Sequence, residues 1–168
     1  MKTVLLAAAA ALILAMPLGA KAEEAPPLFS VKSLTPEMAL ELALATQKAC
    51  RAEGYQTAVA VVDRGGVLQV LLRDRFAGAH TPETARRKAW TALSFRTDTT
   101  QMAENTQAGK EASGVRDVPG ALMLGGGVMV RAGGELVGAI GVSGAPGGQA
   151  DEDCAKKGLE GIEDKMPL

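Results

Sequence analysis

The stretch TAVAVVDRGGVLQVLL, residues 57–72, decides the fold class of this 168-residue chain. Residues 57–62 are small or β-branched, and residues 67–72 form a second short apolar run. Between them, residues 63–66 (DRGG) have the composition of a tight turn. Two apolar runs on either side of such a turn predict a β-hairpin.

A second hairpin is predicted further along the chain. Residues 128–131 and 136–142 are apolar runs, and Gly133 and Gly134 provide the turn that joins them. The short apolar run at residues 122–124 predicts one more strand.

Helix signals lie on both sides of the first hairpin. The motif TPE occurs at residues 35–37 and again at residues 81–83, and each copy combines an N-cap threonine, a first-turn proline and an acidic residue. The predicted helices are residues 36–53, 82–95 and 151–163, with a shorter one within residues 100–108. Helix, hairpin, helix, strands, helix is an order that predicts an α+β domain with an antiparallel sheet flanked by helices.

The amino terminus has the pattern of a cleavable secretory signal peptide. Lys2 precedes an apolar run that is too short to span a bilayer comfortably, and Ala20 and Ala22 occupy the small-residue positions that signal peptidase requires. We therefore expect a signal peptide over residues 1–22, an extended linker over residues 23–33 and one domain over residues 34–168. The expected location is the periplasm or the exterior.

Charge and cysteine content narrow the function classes. The net charge is −1, and signal cleavage removes two lysines and no acidic residue, which argues against nucleic acid and anionic membranes as partners. The two cysteines, Cys50 and Cys154, are far apart in sequence and form no CxxC motif. In an oxidising compartment they form either a structural disulfide or two buried thiols.

Two glycine-rich segments, residues 125–127 and 141–148, invite comparison with phosphate-binding loops. Neither has the GK[ST] ending or a GxGxxG pattern, so tight turns or a generic anion site remain. Ser143 is close to a GxSxG nucleophile elbow, but Ala145 replaces the last glycine and Pro146 follows. We predict no catalytic residue.

His80 is the only histidine of the chain and lies in a polar loop just before a predicted helix. One histidine cannot build a closed metal site, but it can be the axial ligand of a macrocycle that already supplies four nitrogens. The alternative is a surface or capping histidine without a ligand. A methionine sulfur could complete a haem site, although methionines more often fill cores. The candidates are Met102, Met123 and Met129.

Small residues recur along the helix after His80, at Ala85, Ala89 and Ala92, beside bulky and basic residues. This stripe indicates either tight packing against a sheet or a flat face for a tetrapyrrole, whose propionates an arginine would pair with.

Three segments together carry a resemblance to a known family. They are residues 58–66, residues 80–92, and residues 138–148 followed by Asp151-Glu152-Asp153-Cys154-Ala155. In their order and spacing the sequence resembles the GlcG/HbpS family, also called the haem-binding or DUF336 domain. The resemblance implies a profilin-like three-layer α/β/α fold with a five-stranded antiparallel sheet, and homo-oligomers.

The same resemblance implies a ligand. Some relatives bind haem noncovalently, and a related domain accompanies corrinoid enzymes. Haem b is therefore the expected cofactor, with a corrinoid as the alternative. The pocket candidates are His80 as metal ligand, with Thr81, Arg86, Arg87 and Trp90. Trp90 and Ser94 depart from the residues expected at those positions, so the ligand could differ.

These observations predict an exported haem-binding protein that scavenges, buffers or senses haem, with at most weak peroxidase-like or haem-degrading activity. The alternatives are a cofactor-free accessory subunit of a periplasmic oxidation system and a corrinoid-binding protein.

Overall fold

The computed structural model describes residues 26–166. The predicted signal peptide, residues 1–22, lies outside the described residues. The chain divides into two units, residues 1–30 and residues 31–168, and every helix and strand below belongs to the second. Within residues 26–166, none of the helices combines the length and hydropathy needed to cross a membrane.

The second unit has four α-helices and four strands in its described part. In chain order they are α1 (Pro36–Ala52), β1 (Ala58–Asp63), β2 (Leu68–Arg73), α2 (Thr81–Phe95), α3 (Thr99–Asn105), β3 (Gly127–Ala132), β4 (Glu135–Ser143) and α4 (Gly148–Glu160). A 3-10 helix, Glu111–Asp117, follows α3. The strands form one antiparallel sheet in the order β2-β1-β4-β3. Both predicted hairpins, β1–β2 and β3–β4, are confirmed.

The sheet lies between two helical layers because each strand presents alternate residues to opposite faces. On one face, Val59 and Val61 join a core with α1 and α4. On the other face, Ala58, Ala60 and Val62 pack against α2. The predicted α+β architecture, an antiparallel sheet flanked by helices, is therefore confirmed.

The expected fifth strand is not confirmed: the described residues form a sheet of four strands. Residues 122–124, predicted as a strand, contain no strand; the Leu122 amide donates instead to the Thr91 hydroxyl of α2 (2.9 Å). The outer edge of β3 is already occupied, because Thr99 Oγ1 accepts from the Gly127 amide (2.7 Å) and Asp98 Oδ1 from the Met129 amide (2.9 Å). Side chains thus satisfy the N–H groups that a further strand would pair with.

The first residues of the helices show which starts the local sequence signals predicted correctly. Thr35 caps α1 as predicted, accepting from the Met38 amide (3.2 Å). The predicted cap of α2 is wrong: His80 holds the N-cap position, and Thr81 lies in the first turn, where its hydroxyl donates to the Gly78 carbonyl (2.8 Å). Helix α4 begins at Gly148, three residues before the predicted start.

Asp98→Asn is expected to raise stability at neutral pH. Burial raises the pKa of the Asp98 carboxyl, and Glu152 adds to this, while the bond from the Met129 amide opposes it. A raised folded-state pKa means that stability falls as pH rises above the ordinary value of 3.8. The asparagine oxygen can keep the bond to Met129 without the charge.

Urea unfolding of both proteins at several pH values between about 4 and 8, a range that brackets the carboxyl titration, measures the difference in stability. The advantage of the variant should grow with pH. A difference that is constant across the range would contradict the expectation, and the exposed Asp117→Asn controls for loss of a surface charge.

Candidate functional site

A cavity of about 750 Å³ opens where the start of α2 faces the loop that leads into α4. His80, the N-cap of α2, and Lys88, within α2, line it on one side, and residues 143–148 line it on the opposite side. Residues 54–56, which follow α1, complete the wall. The cavity therefore brings together His80 and the glycine-rich segment, which are far apart in sequence.

The His80 side chain is exposed at the mouth of this cavity. Its backbone carbonyl accepts from the Thr84 amide (3.1 Å) and hydroxyl (3.0 Å), so the residue is held by its main chain. Within residues 26–166, no hydrogen bond to its imidazole ring is found. The ring lies over Gly78, where an added Cβ would be 2.7 Å from Cε1 and 2.9 Å from Nδ1. A fixed main chain, and a ring without a hydrogen-bond partner among the described residues, suit a ligand-binding histidine.

A buried ion pair forms the floor of the cavity. Lys88 and Asp151 are each only 3% exposed, and Lys88 Nζ donates to Asp151 Oδ2 (2.7 Å) and to the Val142 carbonyl (2.9 Å). Asp151 Oδ1 accepts from the Ala145 amide (2.9 Å). Burial raises the pKa of the Asp151 carboxyl, and the Lys88 ammonium opposes that rise. The pair therefore connects α2, β4, α4 and the glycine-rich loop through one neutral unit.

Glycines in this loop permit close backbone contacts. Gly144 has a φ of 130°, and an added Cβ there would lie 2.6 Å from the Gln56 carbonyl oxygen. Gly148 opens α4 against Gly125, with an added Cβ 2.9 Å from the Gly125 Cα. The N-cap of α4 is Gly147, which offers no side chain to the first-turn N–H groups. The positive end of α4 is thus directed toward the cavity wall.

The structure separates Arg86, Arg87 and Trp90 from His80, whereas Thr81 shares its cavity. Thr81 lines the cavity, with its hydroxyl bonded to Gly78. Arg86 pairs with Glu83 on the helix surface (2.7 Å). Arg87 donates to the carbonyls of Gly120 (3.3 Å) and Ala121 (2.7 Å). Neither arginine is among the residues that line the cavity.

Trp90 also points away from His80. It packs with Met102 and Met123 in a separate apolar cluster. Met129 packs partly buried against the core between the sheet and α2. None of the three methionines is among the residues that line the cavity, and Cys50 and Cys154 are buried between α1 and α4. Of the described residues, His80 is therefore the predicted metal ligand that the cavity presents.

Sequence reasoning missed Lys88 and Asp151 as a pair. A signal was present: Lys88 falls at i+3 from Ala85 and four residues before Ala92, on the small-residue stripe that packs on the sheet. A charged residue in such a stripe requires a buried partner. The partner could not be identified from sequence, since it lies on another helix.

The family model described as haem degrading protein HbpS-like matches residues 34–160. HbpS, known from a crystal structure, is 39% identical in sequence to this chain. The match covers 84% of this chain and 98% of the HbpS chain, and the two superpose with a TM-score of 0.77. Klebsiella pneumoniae protein ORFY, of the DUF336 family, is 26% identical over 82% of this chain and 96% of its own, with a TM-score of 0.78. The protein in a PduOC:heme complex is 26% identical over 77% of this chain and 95% of its own, with a TM-score of 0.72. No curated protein matches the chain.

Proposed function

This chain belongs to the HbpS-like family, and from that membership we propose that it is an exported protein that binds haem noncovalently in the cavity beside His80. The observation that carries the proposal is the exposed imidazole of His80, free of protein hydrogen bonds in the described residues, at the mouth of a cavity of about 750 Å³. That volume lies within the usual range for cofactor sites. The similarity to a protein solved as a heme complex supports the choice of ligand.

Apolar side chains at the cavity also fit a macrocycle. Phe76 is 80% exposed and Leu124 is 52% exposed, and both line the cavity. Large apolar side chains that are left in water lower their free energy when a flat apolar ligand covers them. Phe76 and Leu124 would hold the apolar part of the porphyrin, and the His80 imidazole would be the ligand of its iron.

The carboxylate end of the ligand needs a different partner from the arginines suggested by the sequence. Arg86 and Arg87 already have protein partners, and Lys88 is neutralised by Asp151. Backbone N–H groups around Gly147 and Gly148, at the positive end of α4, are donors beside the cavity that suit an anionic group. We propose that they receive a propionate.

We propose binding rather than catalysis as the primary role. Asp151 is the one carboxylate among the described lining residues, and Lys88 and the Ala145 amide occupy its oxygens. Bound haem would supply an iron centre whose chemistry depends on its axial ligand and on solvent access. The noncovalent mode and the lack of a CxxC motif favour haem b.

Export and self-association are parts of the same proposal. The pattern of residues 1–22 supports a periplasmic or extracellular location. Exposed leucines support a homo-oligomer: Leu40 and Leu44 on α1 are 43% and 51% exposed, and Leu71 on the edge strand β2 is 41% exposed. Scavenging, buffering or sensing of haem outside the cytoplasm would follow.

Titration of the purified protein with hemin tests the proposal. We expect a saturable Soret band, and His80→Ala should weaken binding roughly tenfold or more and shift the band, because an axial ligand is lost. Arg86→Ala is the matched control on the same helix and should change neither. Gly78→Ala should give an intermediate loss, since the added methyl displaces the imidazole ring.

Lack of saturable binding would refute the haem proposal, and a parallel titration with aquocobalamin would then test the corrinoid alternative. Saturable binding that His80→Ala leaves unchanged would retain haem and remove His80 as its ligand.

A further inference from the structure

Cys50 of α1 and Cys154 of α4 face each other in the core, and their exposed fractions are 0% and 1%. The two thiols interact: a hydrogen bond between them lowers the pKa of Cys50, while the same bond and burial raise the pKa of Cys154. Neither residue belongs to the cavity or to the proposed haem site.

The helix packing around this pair is unusually close. Gly158, one turn after Cys154 on α4, contacts Thr46, one turn before Cys50 on α1. An added Cβ on Gly158 would lie 2.7 Å from the Thr46 Cα and 1.9 Å from its Oγ1. The two contacts follow one another along antiparallel helices. A glycine that lets the backbones approach this closely also brings the two helices together at the neighbouring cysteines, and a disulfide requires a short Cα separation of this kind.

We propose that Cys50 and Cys154 form a structural disulfide that joins α1 to α4 when the protein matures in an oxidising environment. The oxidant is an external disulfide, either a small molecule or an oxidoreductase. Cys50 Sγ, as thiolate, attacks one sulfur of that disulfide and releases a thiolate; Cys154 Sγ, after losing its proton, attacks Cys50 Sγ and releases the second thiolate. Two electrons and the two thiol protons pass to the oxidant.

Burial controls when this exchange can happen. In the folded chain, water and oxidants do not reach either sulfur, so reaction occurs before α1 and α4 pack, or while they separate transiently. For the same reason the finished disulfide resists reduction in the folded protein.

The crosslink also restrains the cavity. Asp151 lies one turn before Cys154 on α4 and accepts from the Ala145 amide in the glycine-rich loop. Fixing α4 to α1 therefore limits the motion of residues 144–148. This effect depends on the disulfide alone and holds whatever the ligand of the cavity is.

The test uses the full chain, reduced under denaturing conditions and refolded with either oxidised glutathione or dithiothreitol. Alkylation after denaturation should label no cysteine in the first sample and both in the second. The oxidised protein should melt about 10 °C higher, as expected for a crosslink that closes a long loop. Amide hydrogen exchange at residues 144–148 should be slower in the oxidised protein.

The double variant Cys50→Ala/Cys154→Ala is the matched control and should melt at the same temperature in both buffers. Two alkylated cysteines after refolding with oxidised glutathione, or a disulfide formed only between chains, would overturn the proposal. An intramolecular disulfide that lowers the melting temperature would also overturn its structural role. The thiol count on the natural sequence decides the first point whether or not the double variant folds.

Discussion

Lys88→Met is expected to lower the free energy of unfolding by about 3–5 kcal/mol, the usual cost of removing one partner of a buried ion pair. Methionine fills a similar volume, so the loss comes from charge rather than from a cavity. Asp151 would keep its buried carboxylate without the ammonium 2.7 Å away, and the Val142 carbonyl would lose a donor. Urea unfolding at neutral pH measures the change.

The pH dependence of the variant separates this explanation from simple repacking. Burial already raises the pKa of Asp151, and Lys88 is the main group that lowers it. Without Lys88 the folded state holds the carboxyl proton more tightly. The stability lost relative to the parent should therefore widen as pH rises through the folded-state pKa of Asp151 in the parent, which already lies above the ordinary value of 3.8.

Two further variants complete the test. The double variant Lys88→Met/Asp151→Asn should lose less than the sum of the single variants, because no uncompensated charge remains. Arg86→Met removes an exposed pair on the same helix and should cost at most about 1 kcal/mol. A loss for Lys88→Met as small as that for Arg86→Met would disprove the structural role of the pair.

Gly141→Ala is expected to be similarly severe, costing about 3 kcal/mol or more, since overpacking against a fixed backbone leaves little room to relax. An added Cβ on Gly141 would lie 2.1 Å from the Ala85 carbonyl oxygen and 2.6 Å from the Ala89 amide nitrogen of α2. Both atoms are main chain, so no side-chain rotation relieves the contact. Helix α2 would have to move off the sheet, carrying His80 with it.

Thermal and urea unfolding of Gly141→Ala and Gly114→Ala provide the comparison. Gly114 has nothing within 4 Å of an added Cβ, so its replacement should change stability by no more than about 0.5 kcal/mol. Adding Ala85→Gly to Gly141→Ala should not restore stability, because the crowded atoms are backbone. Restoration would show that side chains, not the main chain, set the distance between α2 and the sheet.

Local sequence signals predicted the elements well where a cap or a turn governs them. Thr35 begins α1, and Gly133 and Gly134 both adopt positive φ in the turn between β3 and β4. The errors arose where a different hydrogen-bond partner prevailed. Residues 122–124 have the apolar composition of a strand, yet the Leu122 amide donates to a side chain of α2. Thr81 has the composition of a cap, yet its hydroxyl turns back to Gly78.

The candidate site was predictable in part. The single histidine in a polar loop before a helix was sufficient to choose His80, and the cavity contains it. The basic residues beside it were assigned by their proximity in sequence. On a helix, neighbours in sequence point in different directions, so Arg86 faces Glu83, Arg87 faces the Gly120 and Ala121 carbonyls, and Lys88 faces the core.

The sequence by itself determined the helices, the hairpins and the family, because periodicity, caps and turns depend on residues close together in the chain. Only the tertiary structure decided that His80 shares a cavity with residues 143–148, that Lys88 meets Asp151, and that Cys50 meets Cys154. The physical reason is how closely the helices pack against the sheet and against each other. Gly141 and Gly158 allow α2 to touch the sheet and α1 to touch α4, and those close approaches select which side chains meet.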